Sequence, residues 1–318
     1  MADEPASEIR AILEEMDRQG VLPFHALSVP GARRYLEELF TADAEPRPVG
    51  RVRDLSAPRP DGGELPVRVY EPDGDGSAGG SDRPALVWFH GGGFVLGNLD
   101  SVDPACRALC TEAGRVVVSV NYRHAPEHPF PAAPEDCYAG LRWTVEHAEH
   151  LGVDPERVAV GGPSAGGNLA AVVALLSRDR DGPDVERQVL VYPVTNRVRG
   201  FDSYEENGTG YFLTHADMEW FHGHYLERAV DARNPYAYPL EARYLGGLPP
   251  ASVVTAGFDP LRDEGVAYAE RLEADGVAVA HHHYPEMIHG FFSMLTDPEV
   301  ERAWDALGAV AADLSSGG

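Results

Sequence analysis

The 318-residue chain contains no lysine, so all 26 of its basic side chains are arginine. That absence excludes a Walker phosphate loop, a pyridoxal Schiff base and a Ser-Lys dyad, each of which needs an amine. Positive charge of any kind is scarce: 51 Asp and Glu residues leave a formal net charge of −25. An acidic surplus of this size argues against nucleic acid and anionic membrane surfaces as partners. Cysteine is nearly missing as well. Cys106, Cys110 and Cys137 are an odd set that reads as reduced, buried thiols and not as a disulfide framework. No C-x-x-C or H-E-x-x-H spacing occurs, so no zinc site, and no metal or cofactor of any kind, is expected. The longest uncharged apolar run, Leu169 to Leu176, is eight residues, well short of a membrane span. The opening MADEPASEIR is acidic where a secretory signal needs a basic start and an apolar core. The expectation is a soluble, cytoplasmic protein without stable membrane insertion.

What is present is an alternation of strands and helices. After two amphipathic helical patterns (Ile9, Ile12, Leu13, Met16; then Tyr35, Leu36, Leu39, Phe40), Val49–Leu55 and Leu65–Tyr70 alternate apolar and charged residues in the manner of edge strands. A Gly/Ser/Asp loop comes next over Asp73–Asp82. Buried strands are then predicted at Ala85–Phe89, Val116–Val120, Val158–Val160, Val189–Tyr192, Ser252–Thr255 and Val277–Tyr284. Helices are predicted between and after them, at Pro104–Ala113, Pro134–His150, after Ser164, at Arg262–Asp275 and at Pro298–Leu314. Continuous β-branched runs separated by helices describe an α/β protein whose mostly parallel sheet is covered on both faces. The rhythm breaks over 196–248, which carries Thr214 and Asp217 as a capping box and many aromatics. The expected organisation is a core of 49–195 with 249–318, under a helical cap made of 1–48 and the insertion 196–248.

Ligands of such sheets bind at the carboxyl ends of the strands, so the residues standing there matter most. The stretch VAVGGPSAGGNLAAVVALL, 158–176, runs from a strand through Gly162-Pro163-Ser164-Ala165-Gly166 directly into a helix. This G-x-S-x-G turn pushes a serine hydroxyl out at the sheet's edge, with helix N–H groups and the positive dipole end beside it. The plainer reading is a close-packed glycine turn, or a phosphate loop, with Ser164 as an N-cap. After Ala85–Phe89 comes His90-Gly91-Gly92-Gly93-Phe94, whose bare glycines expose consecutive N–H donors suited to an oxyanion or, alternatively, a phosphate. His90 reads as an orienting hydrogen bonder. Asp259 comes after Ser252–Thr255 and is either a histidine's partner or a helix N-cap before Pro260. Asp263 and Glu264 fall in the first helical turn, where the dipole accounts for them. His289 stands past the next strand in apolar company, and a buried imidazole needs a carboxylate to set its tautomer. His281, His282 and His283 are consecutive strand residues on alternating faces, so they cannot converge on one ion, and His222 with His224 lack a third ligand.

Ser164, Asp259 and His289 stand in that chain order, each after a different strand. The chain resembles the bacterial hormone-sensitive-lipase-like esterases of the α/β-hydrolase fold. It does so in HGGGF (90–94), NYRHAPEHPFPAAPEDCY (121–138), GPSAGGNLA (162–170), DPLRDEG (259–265) and IHGF (288–291), and in the 30-residue interval from Asp259 to His289. The resemblance implies Ser164 as nucleophile, His289 as base and Asp259 as its orienter, with Gly92, Gly93 and Ala165 as oxyanion donors. It also implies a small-molecule ester of short to medium acyl chain as substrate. For assembly the expectation is a homodimer. The family usually places Asp or Thr before the nucleophile and this chain has Pro163, which fixes φ and removes an N–H but leaves the Ala165 donor intact. The same three residues would serve an amidase or deacetylase, and the alternative outside catalysis is a ligand receptor on a hydrolase scaffold.

Overall fold

A computed structural model describes residues 2–40, 45–73, 83–296 and 299–316. Two helices, α1 (Ser7–Arg18) and α2 (Val29–Phe40), precede the strands β1 (Arg51–Pro58), β2 (Glu64–Glu71) and β3 (Arg83–Phe89). Then come α3 (Asp103–Ala113), β4 (Val116–Val120), α4 (Ala132–Glu146), α5 (Ala148–Leu151), β5 (Val153–Pro163), α6 (Ala165–Asp179) and β6 (Gln188–Val191). The chain continues through α7 (Asp202–Glu206), α8 (His215–Tyr225), β7 (Ala251–Phe258), α9 (Arg262–Ala274), β8 (Val279–Ile288) and α10 (Glu301–Ser315). The strands form one sheet of eight in the order β1-β2-β4-β3-β5-β6-β7-β8. Only the pairings of β2 are antiparallel, and all those from β4 to β8 are parallel.

Strand alternation divides the interior into two cores. In β3, Ala85, Val87 and Phe89 join Leu141 of α4 and Leu169, Val172 and Leu176 of α6. Leu86 and Trp88 face the other way, toward Cys106 and Leu109 of α3 and Leu307 and Val310 of α10. Ile9 of α1 belongs to this second core, and the Ala6 N–H donates to the Glu286 carbonyl at 3.0 Å. Phe24 lies elsewhere, against α8, with Tyr35 of α2 packed on it at 5.7 Å: the Phe24 ring meets Phe221 at 5.7 Å and the His25 N–H donates to Asp217 at 2.8 Å. All three cysteines are buried and free.

Several sequence expectations need correction. The 65–70 strand is not at an edge; β2 pairs with β1 on one side and β4 on the other. Its alternation reflects one fully covered face, carrying Leu65, Val67 and Val69, while on the other face Tyr70 is buried in the second core and Arg68 bonds Asp54 and Asp100. The single helix expected over 134–150 is two, parted at His147, whose ψ of 18° leaves the helical range and whose Nδ1 turns back to the Trp143 carbonyl. The last strand runs on to Ile288, so His289 comes directly after it and not at a distance of several residues. The 73–82 loop, except its first residue, and Pro298 lie outside the described residues. The final helix begins at Glu301.

Candidate active site

The turn after β5 is held sharp by contacts that only glycine permits. A β-carbon on Gly162 or on Gly166 would overlap the Phe89 carbonyl oxygen, so both are required for α6 to start this close to β3. Ser164 between them has φ 58° and ψ −119°, a strained conformation for a residue with a β-carbon. Pro163 does not disturb the turn: it is the last residue of β5, opposite Val191, and the Ser164 N–H continues the pairing by donating to the Val191 carbonyl at 2.8 Å.

The parallel sheet brings the ends of β5, β7 and β8 to one edge, and the three predicted side chains meet there. Ser164 Oγ lies 3.0 Å from His289 Nε2, and His289 Nδ1 lies 2.8 Å from Asp259 Oδ2. An ionised carboxylate can only accept, which puts a proton on Nδ1 and leaves Nε2 to accept from the serine hydroxyl. Asp259 is fully buried, and its other oxygen accepts from the Leu261 N–H at 2.8 Å. Asp259 is therefore not the cap of α9, whose N-cap position is Leu261 with no side-chain cap bond; one of its oxygens braces the turn before the helix while the other lies against the imidazole. Asn207, from the insertion, donates to the carbonyls of Gly257 and Asp259 at 3.2 and 3.1 Å.

The glycine loop after β3 packs beside Ser164, and both line the same cavity. Gly92 and Gly93 have φ of 107° and 59°. A β-carbon on Gly92 would strike the Leu96 carbonyl, and one on Gly93 the Phe221 ring. Among the described residues the N–H groups of Gly92, Gly93 and Ala165 donate to no protein acceptor. His90 steers the loop: its Nδ1 bonds the Gly91 carbonyl at 2.8 Å, its ring stacks on Tyr122 at 4.1 Å, and its Nε2 sits 3.4 Å from His124 Nε2. Burial pushes His90 down to about 4 and His124 to about 3, so both are neutral near pH 7.

Above these groups lies a cavity of about 870 Å³, counting its open mouth. Its far wall is apolar, built from Phe24, Leu36, Phe212, Leu213, Met218 and Phe221. The capping box expected at Thr214 and Asp217 opens α8, which carries Met218 and Phe221 inward. His222 also lines the cavity, but its Nδ1 takes the Tyr238 hydroxyl at 2.6 Å and burial pushes it down to about 3. Among the described residues no group of three or more His, Cys, Asp or Glu side chains could hold a metal ion. His281 and His283 share one face, both at the Thr255 hydroxyl, while His282 turns to Asp313.

Glu264 departs from its sequence reading. It is wholly buried and receives the N–H groups of Thr195 and Asn196 at 2.6 and 3.2 Å, together with the Tyr204 hydroxyl. Burial pushes its carboxyl up to about 8 against those bonds. The helix dipole does not account for it. Asn207 and Tyr192, which lines the cavity beside His289, also escaped sequence reasoning. For Tyr192 a signal existed, because it stands with Pro193 at the end of a predicted strand.

A family model described as alpha/beta hydrolase fold matches residues 86–293. Carboxylic ester hydrolase LipN of Mycobacterium tuberculosis is 45% identical over 272 residues, covering 84% of this chain and 71% of that protein. The chain belongs to the bacterial hormone-sensitive-lipase-like esterase family, within the α/β hydrolases, and is an enzyme of the carboxylic ester hydrolase class. Ethyl acetate hydrolase of Pseudomonas putida is 41% identical over 278 residues, 86% of each chain. Among solved structures, a hyperthermophilic esterase from the archaeon Pyrobaculum calidifontis superimposes with a TM-score of 0.90 at 40% identity, covering 98% of both chains. No helix among the described residues is long and apolar enough to cross a membrane.

Proposed function

We propose that the chain is a serine carboxylesterase that hydrolyses short- to medium-chain acyl esters through an acyl-enzyme. Ser164 is the nucleophile. As its oxygen attacks the ester carbonyl, His289 Nε2 takes the hydroxyl proton, and Asp259 holds the resulting imidazolium in place. The oxyanion is received by the N–H groups of Gly92, Gly93 and Ala165, at the start of α6 where the helix dipole favours negative charge. His289 then returns the proton to the leaving alcohol and activates water for the second half-reaction. The observation that carries this reading is the unbroken hydrogen-bonded line Ser164–His289–Asp259, at 3.0 and 2.8 Å, on the floor of an apolar cavity. Phe24 and Leu36 from the N-terminal segment and Phe212, Leu213, Met218 and Phe221 from 196–248 serve as the cap that supplies the apolar wall, while α1 packs in the second core, and the wall's aromatic lining suits uncharged acyl chains.

The test is labelling by a fluorophosphonate probe together with a panel of esters and matched amides. Wild type is expected to label and to cleave esters of short and medium chain. Ser164→Ala should lose the label and about 10⁶-fold in kcat. Labelling that survives in Ser164→Ala sinks the nucleophile assignment, and amide turnover exceeding ester turnover sinks the substrate class.

A further inference from the structure

β6 ends at Val191, and the chain leaves the sheet at Tyr192 with φ +35°. Few residues with a β-carbon adopt such a backbone, and strain of this kind persists only where neighbours hold it. Here they do. The Ser164 N–H donates to the Val191 carbonyl at 2.8 Å and the Val194 N–H donates to the Ser164 carbonyl at 3.3 Å, so the residues flanking this turn are tied to the backbone of Ser164 itself. The Tyr192 N–H is anchored to the Val254 carbonyl at 2.6 Å. The result is to swing the buried Tyr192 ring against His289, with ring centroids 4.6 Å apart at 53°, while Phe291 closes in at 6.0 Å.

We propose that Tyr192 is a positioning residue for His289: its ring fixes the imidazole against Ser164 and favours the imidazolium that forms as the serine attacks. The inference rests on the reading of His289 as the general base. An aromatic face within about 6 Å attracts a cation through its quadrupole, and burial strengthens the attraction. The ring exerts no comparable pull on neutral imidazole, so its effect falls on the charged form. The other groups around this imidazole are Asp259 on Nδ1, the Ser164 hydroxyl on Nε2, His222 lining the same cavity, and Glu264 behind Asp259. His222 is held at about 3 and stays neutral over the range that matters.

The experiment measures kcat/KM for a short-chain ester from about pH 5 to about pH 8, where the acid limb reports the essential base. It compares the full-length wild type with Tyr192→Phe, Tyr192→Leu and replacement of Tyr192 by ring-trifluorinated phenylalanine. Tyr192→Phe keeps the aromatic face and should leave the limb in place. Tyr192→Leu should move it down by about half to one pH unit and lower kcat about threefold to tenfold. The fluorinated ring keeps the shape while weakening the quadrupole, so it should move the limb in the same direction even if the leucine variant folds poorly. A limb that stays put in both the leucine and fluorinated variants overturns the proposal, whatever the loss of rate. A wild-type limb that is absent, or that survives in His289→Ala, overturns the base assignment and the role of Tyr192 with it.

Discussion

The two walls of the cavity are built by different physics. The sheet-side wall, with Gly91–Gly93, Ser164, Tyr192 and His289, is fixed by strand ends, positive-φ turns and hydrogen bonds between 2.8 and 3.4 Å. The helix-side wall is a set of aromatic and aliphatic contacts, such as Phe24 against Phe212 at 5.8 Å and against Phe221 at 5.7 Å. Hydrogen-bonded geometry fails when displaced by a fraction of an ångström, whereas apolar packing responds mainly to volume. Reaction should therefore depend on the first wall and choice of substrate on the second.

The walls touch where Phe221 lies over Gly93, and outside the Ser164–His289–Asp259 line the largest expected effects are beside that seam. Gly92→Ala introduces a β-carbon onto the Leu96 carbonyl, backbone that cannot step aside, at φ 107°. The loop must shift, and if its N–H serves the oxyanion as proposed, kcat should fall by about 10²- to 10³-fold. Gly93→Ala meets instead the Phe221 side chain, so part of its loss should be recovered in the double variant with Phe221→Ala. Single and double variants measured for kcat on one ester give the coupling directly. Strict additivity would show that the walls are independent.

Phe221→Ala alone tests the apolar wall. Removing the ring enlarges the cavity with no change to Ser164, His289 or Asp259. The ratio of kcat/KM for a medium-chain over a short-chain ester should rise about tenfold, the order expected from a few methylenes' worth of altered packing. A uniform fall across all chain lengths would mean that Phe221 supports the glycine loop and does not select substrate.

The same division decides what is legible in the sequence. Parallel strands all deliver their carboxyl ends to one edge, so the residues just beyond each strand, namely Ser164, Asp259, His289 and the 90–94 loop, fall into one group without coordinates. The two-faced reading of His281–His283 rests on the same strand geometry. Strand boundaries are less legible: β8 passes Tyr284 to Ile288 through Pro285 and Glu286, where turn residues advertise an end. The break at His147 depends on a side chain folding back onto the Trp143 carbonyl, which no periodicity encodes. The apolar wall is harder still. Helical spacing behind the capping box sets Phe221 on one face with Met218 and Tyr225, but its seat on Gly93 is not encoded in that spacing. Glu264 looks like an ordinary first-turn acid because its three donors come from Thr195, Asn196 and Tyr204, which are 69, 68 and 60 residues away in sequence.

Glu264 offers the smallest effect and the finest test of how the sheet-side wall is supported. Its carboxyl is raised from 4.5 to about 8 in the folded protein, chiefly by burial. A group whose folded value exceeds its unfolded one binds more protons when folded, so its contribution to stability is full at low pH and is lost as pH rises through that window. Glu264→Gln keeps an acceptor for the Thr195 and Asn196 N–H groups but cannot ionise. Glu264 lies behind the reacting groups, so the variant's activity near pH 6 should stay within about twofold of wild type. Tm of wild type should decline between about pH 5 and about pH 8 more steeply than Tm of the glutamine variant. Parallel Tm curves would mean that the three donors hold Glu264 ionised throughout, with the hydrogen bonds outweighing the cost of burial.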